Sequence, residues 1–269
     1  MKKVAAVWMM ILLLCSSCGE YNKVLKSQDL ELRYSYAKKY FNEQKYVRSA
    51  TLLEGLYPLF RGSQYAEESL YLLSQSYYGM GDYQTASQYF ETYYNTYPKG
   101  EYTELARFYS GYGLFLDSPD PRFDQAMTYK AIEQLQLYIE YYPQSERAEA
   151  AQNMLFELQE KLALKELHAV RLYYNLGTYG GNNYQSCVVT AQNALDNYPY
   201  SRHREEFKYY MLRSKYDMAL VSVDTRLQAR YRDVVDEYYN YINEYPEGKY
   251  AQEAQRYFDY VNARITDTY

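Results

Sequence analysis

The run from Glu67 to Gly100 reads EESLYLLSQSYYGMGDYQTASQYFETYYNTYPKG. Leu70, Leu73, Ser74 and Tyr77 fall at helical spacing, and so do Ala86, Phe90 and Tyr93 further on. Apolar residues three and four apart mark one face of an amphipathic helix. Gly81-Asp82-Tyr83 stands between the two runs as a turn signal. Pro98 ends the second run, because proline lacks a backbone donor and drives the preceding residue out of helical geometry. Two helices, a tight turn and a hard stop predict an antiparallel helical hairpin. Small Ser74 and Ala86 let the two helices approach closely, while Tyr83 and Phe90 fill the space between them.

The stop signal recurs. Tyr-Pro occurs five times, at Tyr57-Pro58, Tyr97-Pro98, Tyr142-Pro143, Tyr198-Pro199 and Tyr245-Pro246. The last four open one phrase: Pro, any residue, Gly or Ser, any residue, then Tyr, Arg or His. A fainter copy, Arg61-Gly62-Ser63-Gln64-Tyr65, follows the first Tyr-Pro. The small residue suits a turn or the next N-cap. A stop every roughly 40 to 55 residues along a helix-forming chain marks a helical repeat array, whose usual task is to bind other proteins. The Glu67 to Gly100 unit resembles the tetratricopeptide repeat almost position by position; the departure is Tyr93, where that repeat usually carries Ala.

The same frame finds weaker copies. Repeat one runs from about Leu30 to Arg61, with Ala37, Tyr40, Tyr46, Ser49 and Leu53 at matching places. Repeat three runs from about Tyr102 to Pro143, with Gly111, Ala131 and Leu135 in frame and a loop at Asp117-Ser118-Pro119-Asp120-Pro121. In repeat four one long helix is expected over Ser145 to Leu176, broken at Gly177-Thr178-Tyr179-Gly180-Gly181. Tyr184, Cys187, Ala191 and Ala194 then follow the second-helix pattern. Repeat five spans about Glu205 to Pro246, and Tyr250 to Ile265 forms a last amphipathic helix. The expected fold is therefore all-α: a tetratricopeptide-repeat solenoid of about five hairpins plus a C-terminal capping helix. Repeats one to three occupy 29–143, and repeats four and five with the cap occupy 144–269.

Composition narrows the function. Tyrosine is the anomaly, with 40 copies; its ring serves packing and its hydroxyl reaches solvent or a partner. The net charge is −5 with no basic cluster, which argues against nucleic-acid binding. Mean hydropathy is −0.63, so the bulk of the chain is water-soluble. Lys2, Lys3 and the apolar run Val4 to Leu14 read as a signal peptide over 1–17, too short for a membrane span. Leu14-Cys15-Ser16-Ser17-Cys18-Gly19 resembles a bacterial lipoprotein cleavage site with Cys18 as the acylated residue; the departure is Cys15, where Leu is usual. Residues 18–28 are then a short lipidated tether, and the chain is placed at the outer membrane, facing the periplasm. Cys187 is left as a small buried hydrophobe.

Catalytic constellations are missing. His168 and His203 stand far apart, and the mature chain has no His-Glu-x-x-His, Cys-x-x-Cys or Gly-x-Ser-x-Gly. The carboxylates are spread along helix faces as solvated surface. A non-enzyme without metal or cofactor is expected. A binding groove lined by the first helix of each hairpin remains. Its candidate residues are Glu31, Tyr34, Lys38 and Phe41 in repeat one; Glu68, Tyr71, Gln75 and Tyr78 in repeat two; and Phe108, Tyr112 and Phe115 in repeat three. Rigid rings there suit an extended peptide with an aromatic end. The competing reading of the same rings is packing between repeats.

Lipoprotein signal, five repeat units and the recurrent junction phrase together resemble the BamD family of outer-membrane-assembly lipoproteins. The resemblance implies a BamA-type insertase as partner, met by the C-terminal repeats through its POTRA domains, alongside other assembly-machinery lipoproteins. It also implies that the N-terminal repeats meet unfolded outer-membrane proteins. An arginine that the family carries in the second helix of repeat four is absent here, where the chain reads Val189-Thr190-Ala191; Arg202 and Arg204 are offered in its place. Two rivals are a glycan-capturing lipoprotein of the SusD type and a periplasmic tetratricopeptide scaffold. The first is usually about twice this length and commonly carries an acidic run after its cysteine.

Overall fold

The computed structural model describes residues 19–266, and among them there is helix and loop but no strand. Five hairpins follow one another. They are α1 (Leu30–Asn42) with α2 (Tyr46–Leu56), α3 (Ala66–Gly79) with α4 (Tyr83–Thr96), and α5 (Thr103–Asp117) with α6 (Ala126–Tyr141). Then come α7 (Ala148–Leu176) with α8 (Asn183–Asn197), α9 (Arg204–Leu220) with α10 (Asp224–Ile242), and the last helix α11 (Ala251–Asn262). The fold is thus the all-α repeat array expected from the sequence. Two compact units divide it, one of the described residues up to Pro119 with Ala126–Leu155, the other of Asp120–Gln125 with Phe156 onward. Their boundary falls inside α7, whereas the sequence suggested Pro143.

Local chemistry explains the helix ends. Asp29, Asp82 and Asn182 each accept a backbone N–H from three residues on, satisfying a donor that the first helical turn leaves orphaned. Gly81 turns the second hairpin with φ +79°, a conformation that side chains with a Cβ avoid. Between α3 and α4 the buried residues are Leu70, Ala86, Phe90 and Tyr93, and next to them lies Ala106 of α5. Gly111 is pressed against Leu135 of α6: a Cβ there would meet that side chain at 2.9 Å.

Two local expectations change. The stretch 19–25 is helical and docked, with Val24 in the core of the first hairpin, Tyr21 edge-on to Tyr40 at 5.8 Å, and the Tyr36 hydroxyl donating to Glu20 at 2.8 Å. It is part of the first hairpin, not a loose tether. The loop expected between α5 and α6 is present and is braced from within, with buried Gln125 donating its amide to the carbonyls of Asp120 and Phe123. The long helix starts at Ala148, because Ser145 is engaged elsewhere. The signal peptide and Cys18 lie outside the described residues.

The junction phrase has a physical cause that its letters did not reveal. After the second hairpin, the Tyr93 hydroxyl donates to Glu67 (2.6 Å) and accepts the N–H of Tyr102 (3.1 Å), while Glu67 also accepts the N–H of Glu101. After the fifth, Tyr241 donates to Glu205 (2.8 Å) and accepts the N–H of Tyr250 (3.2 Å). The glycine of the phrase lies against this pair. A Cβ on Gly100 would stand 2.5 Å from Glu67 Oε1 and 2.8 Å from the Tyr93 hydroxyl, and Gly248 faces Glu205 and Tyr241 in the same way. Neither glycine has positive φ. They are glycines for room, not for a turn or an N-cap.

The third junction keeps the latch with serine in place of glycine. The Ser145 hydroxyl is 2.7 Å from the Tyr138 hydroxyl and donates to Glu104 at 2.5 Å. The fourth lacks the tyrosine. Ala194 stands in its place, and Glu160 accepts the N–H of Arg202 directly, at 3.1 Å to each oxygen. The neighbouring glutamates reach the other way. Glu68 accepts from Tyr34 (2.7 Å) and pairs with Lys38 (2.6 Å) on α1, and Glu206 pairs with Arg171 of α7 (2.6 Å).

Candidate functional site

The rings proposed for a groove divide into spent and available. Tyr34 is buried, packed against Phe60 (5.4 Å) and Tyr65 (5.3 Å). Burial, then its bond to Glu68, pushes the Tyr34 hydroxyl well above its ordinary pKa. Glu68 is held below the usual carboxylate range by Lys38 and Tyr34, although burial opposes that. Phe108 is likewise buried, between Tyr138 (5.4 Å) and the Arg147 guanidinium (5.9 Å). Tyr34 and Phe108 therefore serve the contact between successive hairpins. Phe41 is half-buried against Tyr46 (5.7 Å), whose own ring closes over Gly79.

Tyr71 stacks on Tyr102 with centroids 4.2 Å apart and planes 10° from parallel. Burial pushes its hydroxyl up to about 12, and Gln75 donates to it at 3.0 Å. The same relation recurs in the second unit, where Tyr209 stacks on Tyr250 at 3.9 Å. At four of the five junctions the last residue of the phrase is thus the lid on the preceding hairpin's first helix: Tyr65 on Tyr34, Tyr102 on Tyr71, Arg147 beside Phe108, Tyr250 on Tyr209. The sequence displayed this residue in every copy of the phrase but not its partner, which lies one repeat back.

A half-buried strip remains on α3 and α5. Tyr78 touches Tyr83 (5.3 Å), Tyr109 (5.2 Å) and Tyr112 (6.2 Å), and Tyr112 stacks on Phe115 (6.3 Å). Burial first, then the surrounding phenols, raises the Tyr78 hydroxyl above its ordinary value. The strip is a row of rings with hydroxyl edges. Such a surface grips an extended apolar chain through ring faces that lose little entropy on binding.

In the second unit, Arg204 is committed. Its guanidinium grips Glu244 with Nε at 2.5 Å and Nη2 at 3.3 Å, and Lys208 joins the same carboxylate. Arg204 foremost, then Lys208, pulls Glu244 down to about 2 against the opposing effect of burial. Arg202 is exposed, with its guanidinium 5.2 Å over Phe156. It borders a cleft lined by Phe156, Gln159, Glu160 and residues Asn197 to Ser201. A residue that sequence reasoning missed is Arg213, lodged between Tyr174 (4.5 Å) and Tyr209, to whose hydroxyl it donates at 2.9 Å. Cys187 is buried, and burial pushes its thiol up to about 11, as suits a packing residue.

Among the described residues no cluster of His, Cys, Asp and Glu has the arrangement of a metal site, and no helix is long and apolar enough to cross a membrane. Helical hairpins with small residues at the crossing and stacked first helices define a tetratricopeptide-like repeat protein. More narrowly, residues 27–179 match the model of the YfiO family, described as outer membrane lipoprotein, and the chain belongs to that family. No curated protein matches the chain.

Proposed function

We propose that the protein is a BamD-type component of the β-barrel assembly machinery: lipid-anchored through Cys18, facing the periplasm, without catalytic activity of its own. In this reading the second unit contacts a BamA-type insertase through its POTRA domains, and the first unit engages unfolded outer-membrane proteins. The observation that carries it is the half-buried ring strip Tyr78, Tyr112 and Phe115 in a chain of an outer-membrane lipoprotein family. Unfolded barrel strands alternate apolar and polar residues, and a row of rings with hydroxyl edges matches both kinds. The exposed arginine Arg202 is the candidate insertase contact; Arg204, tied to Glu244, supports the α9 start instead.

The test is a mild detergent extraction through a tag after Tyr269, with and without Cys18→Ala, and photocrosslinkers at Tyr78 and Tyr112. A POTRA-containing barrel protein is expected to copurify, less so without the anchor, and the crosslinkers are expected to capture nascent barrel chains. Copurification of a sugar transporter in its place, or of no barrel protein at all, overturns the reading.

A further inference from the structure

Charge is distributed unevenly along the repeats. Residues 19–61 carry eight Lys and Arg against five Asp and Glu, whereas residues 62–269 carry 19 against 29. The positive segment is also where the chain leaves Cys18. The helical stretch 19–25 begins beside the turn of the first hairpin: Glu20 lies 3.7 Å from Lys39, and Tyr21 packs on Tyr40 with the Arg48 guanidinium 5.3 Å over its ring. Adjacent Cα atoms are about 3.8 Å apart, so an acyl group on Cys18 leaves no slack between lipid and fold.

At that edge, Lys39 and Lys45 are exposed, the Arg48 guanidinium lies over the Tyr21 and Tyr40 rings, and Val47 projects with 67% of its surface in solvent. The carboxylates present there are Glu20 and Glu43, which pair with Lys39 and Lys45 and leave the edge net positive. An apolar side chain beside Lys45 and Arg48, cations on long apolar stems, is the chemistry of a headgroup boundary.

We propose that the turn edge of the first hairpin, at Lys39, Lys45, Arg48 and Val47, rests on an anionic phospholipid surface and sets the orientation of that hairpin to the membrane. The proposal rests on acylation of Cys18. The anchor fixes where the chain meets the bilayer, and a basic patch beside it adds attraction to anionic headgroups that orients the hairpin.

The test uses full-length lipidated protein in vesicles of phosphatidylethanolamine alone or with phosphatidylglycerol. An environment-sensitive dye is placed at Val47→Cys or, as control, at exposed Gln144→Cys; buried Cys187 stays unlabelled. With phosphatidylglycerol, the Val47 dye is expected to shift to the blue and be quenched by a headgroup-borne quencher, and the Gln144 dye is not. In the unlipidated Cys18→Ala chain, each of Lys39→Gln and Lys45→Gln is expected to weaken vesicle binding about fivefold. Intact mass separates the two ideas. Acylated, vesicle-bound protein whose Val47 dye behaves like the control sinks this proposal alone, as does a dye response indifferent to headgroup charge. Absence of acyl mass on Cys18 sinks the anchor and the proposal together.

Discussion

The second and fourth junctions of the array carry the same phrase and solve the same problem differently. Pro98-Lys99-Gly100 closes over a tyrosine hydroxyl and a glutamate, with glycine giving up its side chain for them. Pro199-Tyr200-Ser201 has no tyrosine beneath it, because Ala194 occupies that place, and Glu160 binds the backbone directly. One junction is held by a three-point latch and the other by a single carboxylate. The comparison shows that glycine in the phrase is dictated by what lies under it, while serine either joins the latch, as at Ser145, or only accepts the N–H two residues on, as Ser201 does from His203.

The largest expected effect comes from filling that space. Gly100→Ala or Gly248→Ala forces a Cβ into the carboxylate and hydroxyl and should cost about 2 kcal/mol. Ser201→Ala, where no latch exists, should cost well under half as much. Denaturant midpoints of the three variants check this, and equal costs would break the comparison. Next come the hydroxyls. Tyr93→Phe and Tyr241→Phe strip a donor from a glutamate and an acceptor from a backbone N–H, at about 1 to 2 kcal/mol each. Tyr138→Phe should cost less, because Ser145 still donates to Glu104. Thermal and denaturant unfolding of the series would rank them.

The smallest effect is in pH. Glu244 is depressed to about 2 in the folded chain, so its pairing with Arg204 and Lys208 stabilises the fifth hairpin above the ordinary glutamate pKa of about 4.3. That contribution should fade as pH drops from there toward 2. Glu244→Gln should remove this part of the acid dependence, read as the pH profile of the unfolding midpoint between about 2 and 5.

Hairpins, stops and the capping helix were legible because helix periodicity and proline act within a few residues of sequence. Gly81 and the long α7 were legible for the same reason. The latch was not. Tyr93 and Glu67 are separated by most of a hairpin, and Tyr93 stood out only as a misfit where tetratricopeptide repeats carry Ala. The packing of the first helices was half legible: sequence singled out Tyr34, Tyr71 and Phe108, but their lids, Tyr65, Tyr102 and Arg147, come from the next junction. The stretch 19–25 read as a tether because its short length shows no repeat frame, and its docking depends on rings of α1 that it meets only in three dimensions.

The paired carboxylates Glu67-Glu68 and Glu205-Glu206 bear on cooperativity. In a stack of repeats, stability is a sum of each unit's own term and of couplings to its nearest neighbours. One glutamate of each pair couples its hairpin forward through the latch, and the other couples it backward, to Tyr34 and Lys38 or to Arg171. Hairpins two and five are therefore bonded on both sides by adjacent residues of a single helical turn. Opening either one breaks two interfaces at once, so its amides should exchange with solvent only in larger cooperative events, and α11, joined to the fifth hairpin by the Tyr241 latch, should open with it instead of fraying alone.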